Sequence, residues 1–121
     1  GAGKALLAFL DPRELDYVLN EISFEKFTER TVKNKKQLQE SLKETREKGY
    51  GVSLGEFNQD IVATGAPIFG VNDKVVACIA IAALDSRVDG MTTIHNHAKL
   101  LCKMARKISI KLGASENFDS R

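Results

Sequence analysis

The nine residues VACIAIAAL, Val76 to Leu84, constrain the fold of this chain more than any other stretch. None of them carries a charge, an amide or a hydroxyl. As a strand it is apolar on both faces, so both faces need a cover. Ala77, Ile79, Ile81 and Ala83 share one face; Val76, Cys78, Ala80, Ala82 and Leu84 share the other. The alanines on that second face leave room beside the sheet, either for a ligand or for the close approach of a helix.

Two further segments have strand character, Tyr50 to Leu54 and Ile61 to Phe69, and Gly70-Val71-Asn72-Asp73-Lys74 has hairpin-turn chemistry. An antiparallel sheet follows. Helices surround it in the sequence. Gly3 to Leu10 is a short apolar helix, and Asp11-Pro12 opens a second one to about Asn20, with Leu15, Val18, Leu19 and Ile22 inward. Asn34 caps a third helix that runs to Lys48 and stops at Gly49. Its only strong apolar anchors are Leu38 and Leu42, which places it on the surface, with Glu44 and Lys48 paired along the outside. After Gly90 the strongest helix sets Met91, Ile94, Ala98, Leu101, Ala105, Ile108 and Leu112 on one side until Gly113, a stripe suited to covering one sheet face. ASENFDSR, residues 114–121, reads as a flexible tail.

Bulk properties bound the function. A chain of 121 residues suits one domain, and 43% apolar with 28% charged residues is ordinary globular composition. The longest uncharged apolar run, Val75 to Leu84, is about half of a membrane-spanning helix. No export leader is present, so a cytoplasmic location is expected. A net charge of +2 does not point to nucleic acid as a direct partner. Cys78 and Cys102 lack the spacing of a zinc or redox site and read as reduced, buried thiols. The start at Gly1, without methionine, reads as a fragment or a processed product.

The chemical motifs are sparse. His95 and His97 would point about 200° apart on a helix that turns 100° per residue, which suits surface histidines better than a metal pair. Gly1-Ala2-Gly3-Lys4 resembles the end of a phosphate loop but is followed by Ala5 instead of Ser or Thr. It reads better as a turn entering a helix, whose free amides suit an anion such as a carboxylate. Lys99, Lys103, Arg106, Lys107 and Lys111 form a solvated basic side of the last helix. The one carboxylate pair near the strands is Glu56 with Asp60, and no nucleophile has a nameable base, so neither an enzyme nor a bound metal or cofactor is expected.

In order, GAGKALLAFL, DPREL, FEKFTERT, REKGYGV, VATGAPIF and VVACIAIAALDSRV with a closing helix resemble the effector-binding domain of IclR-type transcription regulators, from Gly1 to about Gly113. The resemblance implies an α/β (α+β) fold, a GAF-like antiparallel sheet flanked by helices. It also implies a ligand-sensing role, and a winged helix-turn-helix, absent from this chain, through which the full protein meets DNA. Domains of this family begin some dozens of residues earlier, with a helix and strands that the chain lacks. The sheet edge left uncovered invites pairing with another copy, so a homo-oligomer, dimer or tetramer, is expected.

In members that sense small organic acids, the carboxylate meets amides at the start of the GAGK-like turn and an Asp, a Cys and two Ser from the sheet. Matched by position, these places are Gly1 and Ala2, then Ser53, Ala63, Ala80 and Ala82. Hydrogen bonds to a charged group contribute about 1.5 to 3 kcal/mol each, so losing two hydroxyls and a thiol weakens a small hydrophilic acid by orders of magnitude. The expected effector is an organic acid with a larger apolar body, its carboxylate on the turn amides and its body on the alanines. The alternative in another class is a structural oligomerisation module with no effector, and a third, weaker reading is a small enzyme using Ser53 or Cys78 as nucleophile.

Overall fold

The computed structural model describes residues 2–21, 33–55, 60–84 and 90–115. Helix α1 spans Ala2–Ala8, α2 Pro12–Glu21 and α3 Lys35–Lys48; strands β1 Gly51–Leu54, β2 Ile61–Phe69 and β3 Val75–Leu84 follow, and α4 spans Gly90–Lys111. The positions Gly1, Ile22, Glu56, residues 24–31 and the Ser86-Arg87 step lie outside the described residues, as does the Met91 side chain.

Local chemistry sets the helix ends. The Asp11 side chain accepts from the Arg13 amide at 2.9 Å, and Pro12 takes the first helical position of α2, where a missing N–H costs nothing. Asn34 accepts from the Gln37 amide at 2.9 Å, which satisfies one orphan donor at the start of α3, while the Gln37 side chain accepts from the Lys33 amide just ahead of the cap at 2.8 Å. Gly49 ends α3 in the left-handed region, φ 86°, and donates to Thr45 O. Leu38 and Leu42 bury the inner stripe of α3 against Ala8 and Leu19. Among the described residues no ion pair joins Glu44 to Lys48; the polar contacts from α3 to α2 include Lys35, which donates to Asn20 Oδ1 at 3.0 Å and lies 4.0 Å from Asp16 Oδ1.

The sheet is antiparallel in the order β1-β2-β3. β1 ends its pairing at Gly51 opposite Gly65, whereas β3 accompanies β2 to Phe69. Pro67 therefore stands in a central strand at a point where one side of it is already an edge, the setting in which a residue without an N–H is tolerated. The hairpin turn between β2 and β3 is a short 3-10 segment, Val71–Asp73, with Asn72 and Asp73 both at positive φ.

Two layers cover the sheet. Ala66 and Ile68 of β2, with Ile79 and Ile81 of β3, pack against Leu101 and Ala105 of α4. The expected stripe of α4 is buried at Ile94, Ala98, Leu101 and Ala105, but Leu112 is about half exposed. The polar group that completes the stripe is Ser109, fully buried, whose hydroxyl donates to Ala105 O at 2.7 Å and accepts from the Phe69 amide at 2.9 Å. α1 touches all three strands but not this layer, and so lies on the opposite face. Of the expected tail, Ala114 is buried against Phe69 and the Ser115 amide donates to Asp73 at 2.7 Å; residues 116–121 lie outside the described residues.

Candidate functional site

Strand register decides whether the four sheet positions named from sequence can act together. Ser53 pairs with Ala63, and Ala63 pairs with Ala82, so these three side chains form one row across the sheet. Ala80 pairs with Gly65 and Gly65 with Gly51, which puts Ala80 in the next row of the same face. That face is the one turned away from α4, because Ile79, Ile81, Ala66 and Ile68 face the helix. α1 crosses the same face. Its last turn leads to Phe9, whose ring meets Phe69 edge-on at 5.6 Å, and Lys4 nearer its start donates to Val52 O at 3.1 Å. Lys4, in the first half of α1, thus reaches the backbone of β1 at the residue before Ser53.

The row is open, not enclosed. Ser53 and Ala63 are half-buried, while Ala80 and Ala82 are exposed. α1 packs on this face and touches β3, yet Ala80 and Ala82 keep their exposure. The alternation of β3 is interrupted near its start. A register shift between Ile68 and Phe69 pairs Ile68 with Ala77 and Phe69 with Val75, which leaves Val76 without a partner in the ladder.

The remaining sequence candidates are dispersed. His95 is exposed and His97 half-buried, and no group of three or more His, Cys, Asp or Glu side chains among the described residues could hold a metal. Cys78 and Cys102 are free and each half-buried. Cys102 lies 3.8 Å from Gly49 O, and burial pushes its thiol above the ordinary value. No helix among the described residues is long and apolar enough to cross a membrane.

Sequence reasoning missed a cleft of about 500 Å³ at the carboxyl end of α1. Phe9, Pro67, Phe69 and Cys102 are among its apolar lining, and Arg46, Lys48, Lys103 and Arg106 line it as well. A smaller recess of about 290 Å³ adjoins it and shares Phe9 and Arg46. The basic residues of α4 were visible in the sequence, but only the fold brings them opposite the end of α3.

With this geometry in hand, the likeness to known proteins is specific. The model of the family described as bacterial transcriptional regulator IclR C-terminal matches residues 1–110. The HTH-type transcriptional regulator XynR of Escherichia coli is 32% identical over 87 residues, 72% of this chain and 34% of that protein. The IclR structure from Thermotoga maritima superposes with a TM-score of 0.89 at 31% identity, covering 93% of this chain and 45% of that one. The inducer-binding domain of Acinetobacter PobR, a double mutant solved with 3-hydroxybenzoic acid, shares the fold at a TM-score of 0.80 and 21% identity, over 89% of this chain and 64% of that one. The chain thus spans about a third of XynR and under half of the Thermotoga protein, and these relatives are transcription regulators, not enzymes. The mixed α/β architecture is the GAF-like fold of such domains. On the match over residues 1–110, the chain belongs to the family of C-terminal domains of IclR-type bacterial transcriptional regulators.

Proposed function

We propose that this domain senses an organic acid with an apolar body, held on the sheet face turned away from α4. The carboxylate meets backbone amides at the start of α1, that of Ala2 among them, and the body lies on Ala63, Ala80 and Ala82 with Ser53 at one side. The observation that carries the reading is the register: Ser53, Ala63 and Ala82 stand side by side, and Ala80 stands one row away on the same face. The aromatic acid bound by PobR is the kind of molecule that such a surface suits. Binding biases how copies of the domain sit relative to one another, and so shifts operator affinity of a winged helix-turn-helix outside this chain, provided the ligand has different affinity for the two arrangements.

A thermal-shift titration with benzoate tests this, with acetate as the hydrophilic control. A dose-dependent rise in melting temperature with benzoate, absent with acetate and lost in Ala80→Leu/Ala82→Leu, is the expected result. Because both alanines are exposed, that variant should fold, and an unchanged benzoate response in it overturns the assignment.

A second reading is favoured by one observation. The same face carries Leu84, 44% exposed, beside Ala80 and Ala82, an apolar surface that another copy could cover. In that case the domain is an oligomerisation module without an effector. Sedimentation at increasing concentration separates the two: a module associates identically with and without benzoate and loses association in the double leucine variant.

A further inference from the structure

The cleft at the carboxyl end of α1 carries a second binding function. We infer that it is a site for a planar aromatic dianion, of the aryl dicarboxylate class, separate from the sheet face. It rests on different residues from the proposed effector site and stands or falls independently of it. Its volume, about 500 Å³, lies in the range of small-molecule sites.

Charge selects the ligand. Arg46 and Lys48 from the last turn of α3, and Lys103 and Arg106 from the middle of α4, line the cleft against a single lining carboxylate, Glu47. Arg46 is positioned: its guanidinium donates to Ala8 O at 3.4 Å, which holds it across the end of α1. Two basic groups from each of two helices favour a ligand with two negative charges over one with a single charge.

Shape selects the body. Phe9 and Phe69, edge to face at 88°, and the ring of Pro67 form an apolar wall against which a flat ring can lie. A peptide strand is disfavoured at the same place. The Gly55 amide donates to Ile61 O, so the odd-numbered residues of β2 turn their backbone groups toward β1 and the cleft. Beyond Gly65 these are Pro67, which has no N–H, and Phe69, whose N–H is taken by Ser109. The edge has no donor to offer an added strand.

The test uses 2,6-naphthalenedicarboxylate, with 2-naphthoate and 2-naphthalenemethanol as monoanionic and neutral controls. Binding to the purified chain is read by calorimetry, and occupancy of the cleft by the rate of iodoacetamide alkylation at Cys102, mapped by peptide mass spectrometry. The dicarboxylate is expected to bind at least about tenfold more tightly than 2-naphthoate, and the neutral alcohol more weakly again. It should slow alkylation of Cys102 and leave Cys78 unaffected. Arg46→Glu with Lys103→Glu, both exposed in the structure, should weaken it by about tenfold or more, and Lys103→Gln by less, with unchanged circular dichroism. Ala80→Leu/Ala82→Leu should leave this binding intact. Equal affinity for dianion and neutral alcohol, no response to the charge reversals, or binding without protection of Cys102 would each overturn the inference.

Discussion

Ser109 is a single hydroxyl that joins α4 to β2, and its removal can be worked through quantitatively. In Ser109→Ala the Phe69 amide loses the acceptor it has at 2.9 Å in a fully buried setting. A buried donor deprived of its partner costs about 1 to 3 kcal/mol. The bond to Ala105 O matters less, because that carbonyl can keep its place in the helix ladder. Alanine is the better helix former by about 0.5 kcal/mol, which offsets part of the loss. The net destabilisation is about 1.5 kcal/mol. With an unfolding entropy of about 2.1 cal/mol/K per residue over 121 residues, roughly 0.25 kcal/mol/K, the melting temperature should fall by about 6 °C.

Thr45→Val is the matched control. Thr45 is also buried and also donates to a carbonyl four residues back, Ser41 O at 2.9 Å, but among the described residues no strand amide donates to its hydroxyl. It should cost about 0.5 kcal/mol, near 2 °C on the same conversion. Thermal unfolding followed by circular dichroism measures both. Equal shifts for the two variants, or a loss under about 2 °C for Ser109→Ala, would refute the argument that the hydroxyl's bond to the sheet is what stabilises the junction.

Other consequences can be checked with similar assays. Gly113 has φ 98°, and a Cβ there would lie 2.9 Å from Val71 Cγ2, whereas Gly49 at φ 86° has open space. Each alanine substitution costs about 1 to 2 kcal/mol for the left-handed backbone, and Gly113→Ala costs more unless combined with Val71→Ala, a non-additivity that urea midpoints resolve. Asn34→Ala removes the cap of α3 and should cost about 1 kcal/mol, read from the same midpoints, while Asn34→Asp should retain most of the stability. The Cys102 thiol has its folded-state value raised by burial, so the stability it contributes is fully present below about pH 9 and is lost as pH rises through the higher folded value. Between pH 8 and pH 10 the wild-type chain should therefore lose more stability than Cys102→Ala, and parallel pH profiles would contradict this.

What could be read from the sequence was what local chemistry decides. The ends of α3 follow from Asn34 and Gly49, and both strands of the hairpin follow from their period and from the Gly70 to Lys74 turn. The shared row of Ser53, Ala63 and Ala82 depends on register, which resemblance to a family could suggest but alternation in one strand cannot. The unpaired Val76 could not be foreseen, because a bulge is a property of two paired strands, not of either alone. Ser109 is absent from the apolar stripe because it is polar, although it follows Ala105 by four residues and the Phe69 amide makes its buried position favourable. The basic cleft combines residues from α1, α3, β2 and α4, so no segment of the sequence carries its signature.

The sheet-face assignment is tested most directly by methyl NMR on alanine-labelled chain titrated with benzoate. Saturable shifts are expected at the methyls of Ala63, Ala80 and Ala82, while Ala66 and Ala105, buried between β2 and α4, stay in place. Benzoate binding that leaves the first three methyls unmoved would contradict it.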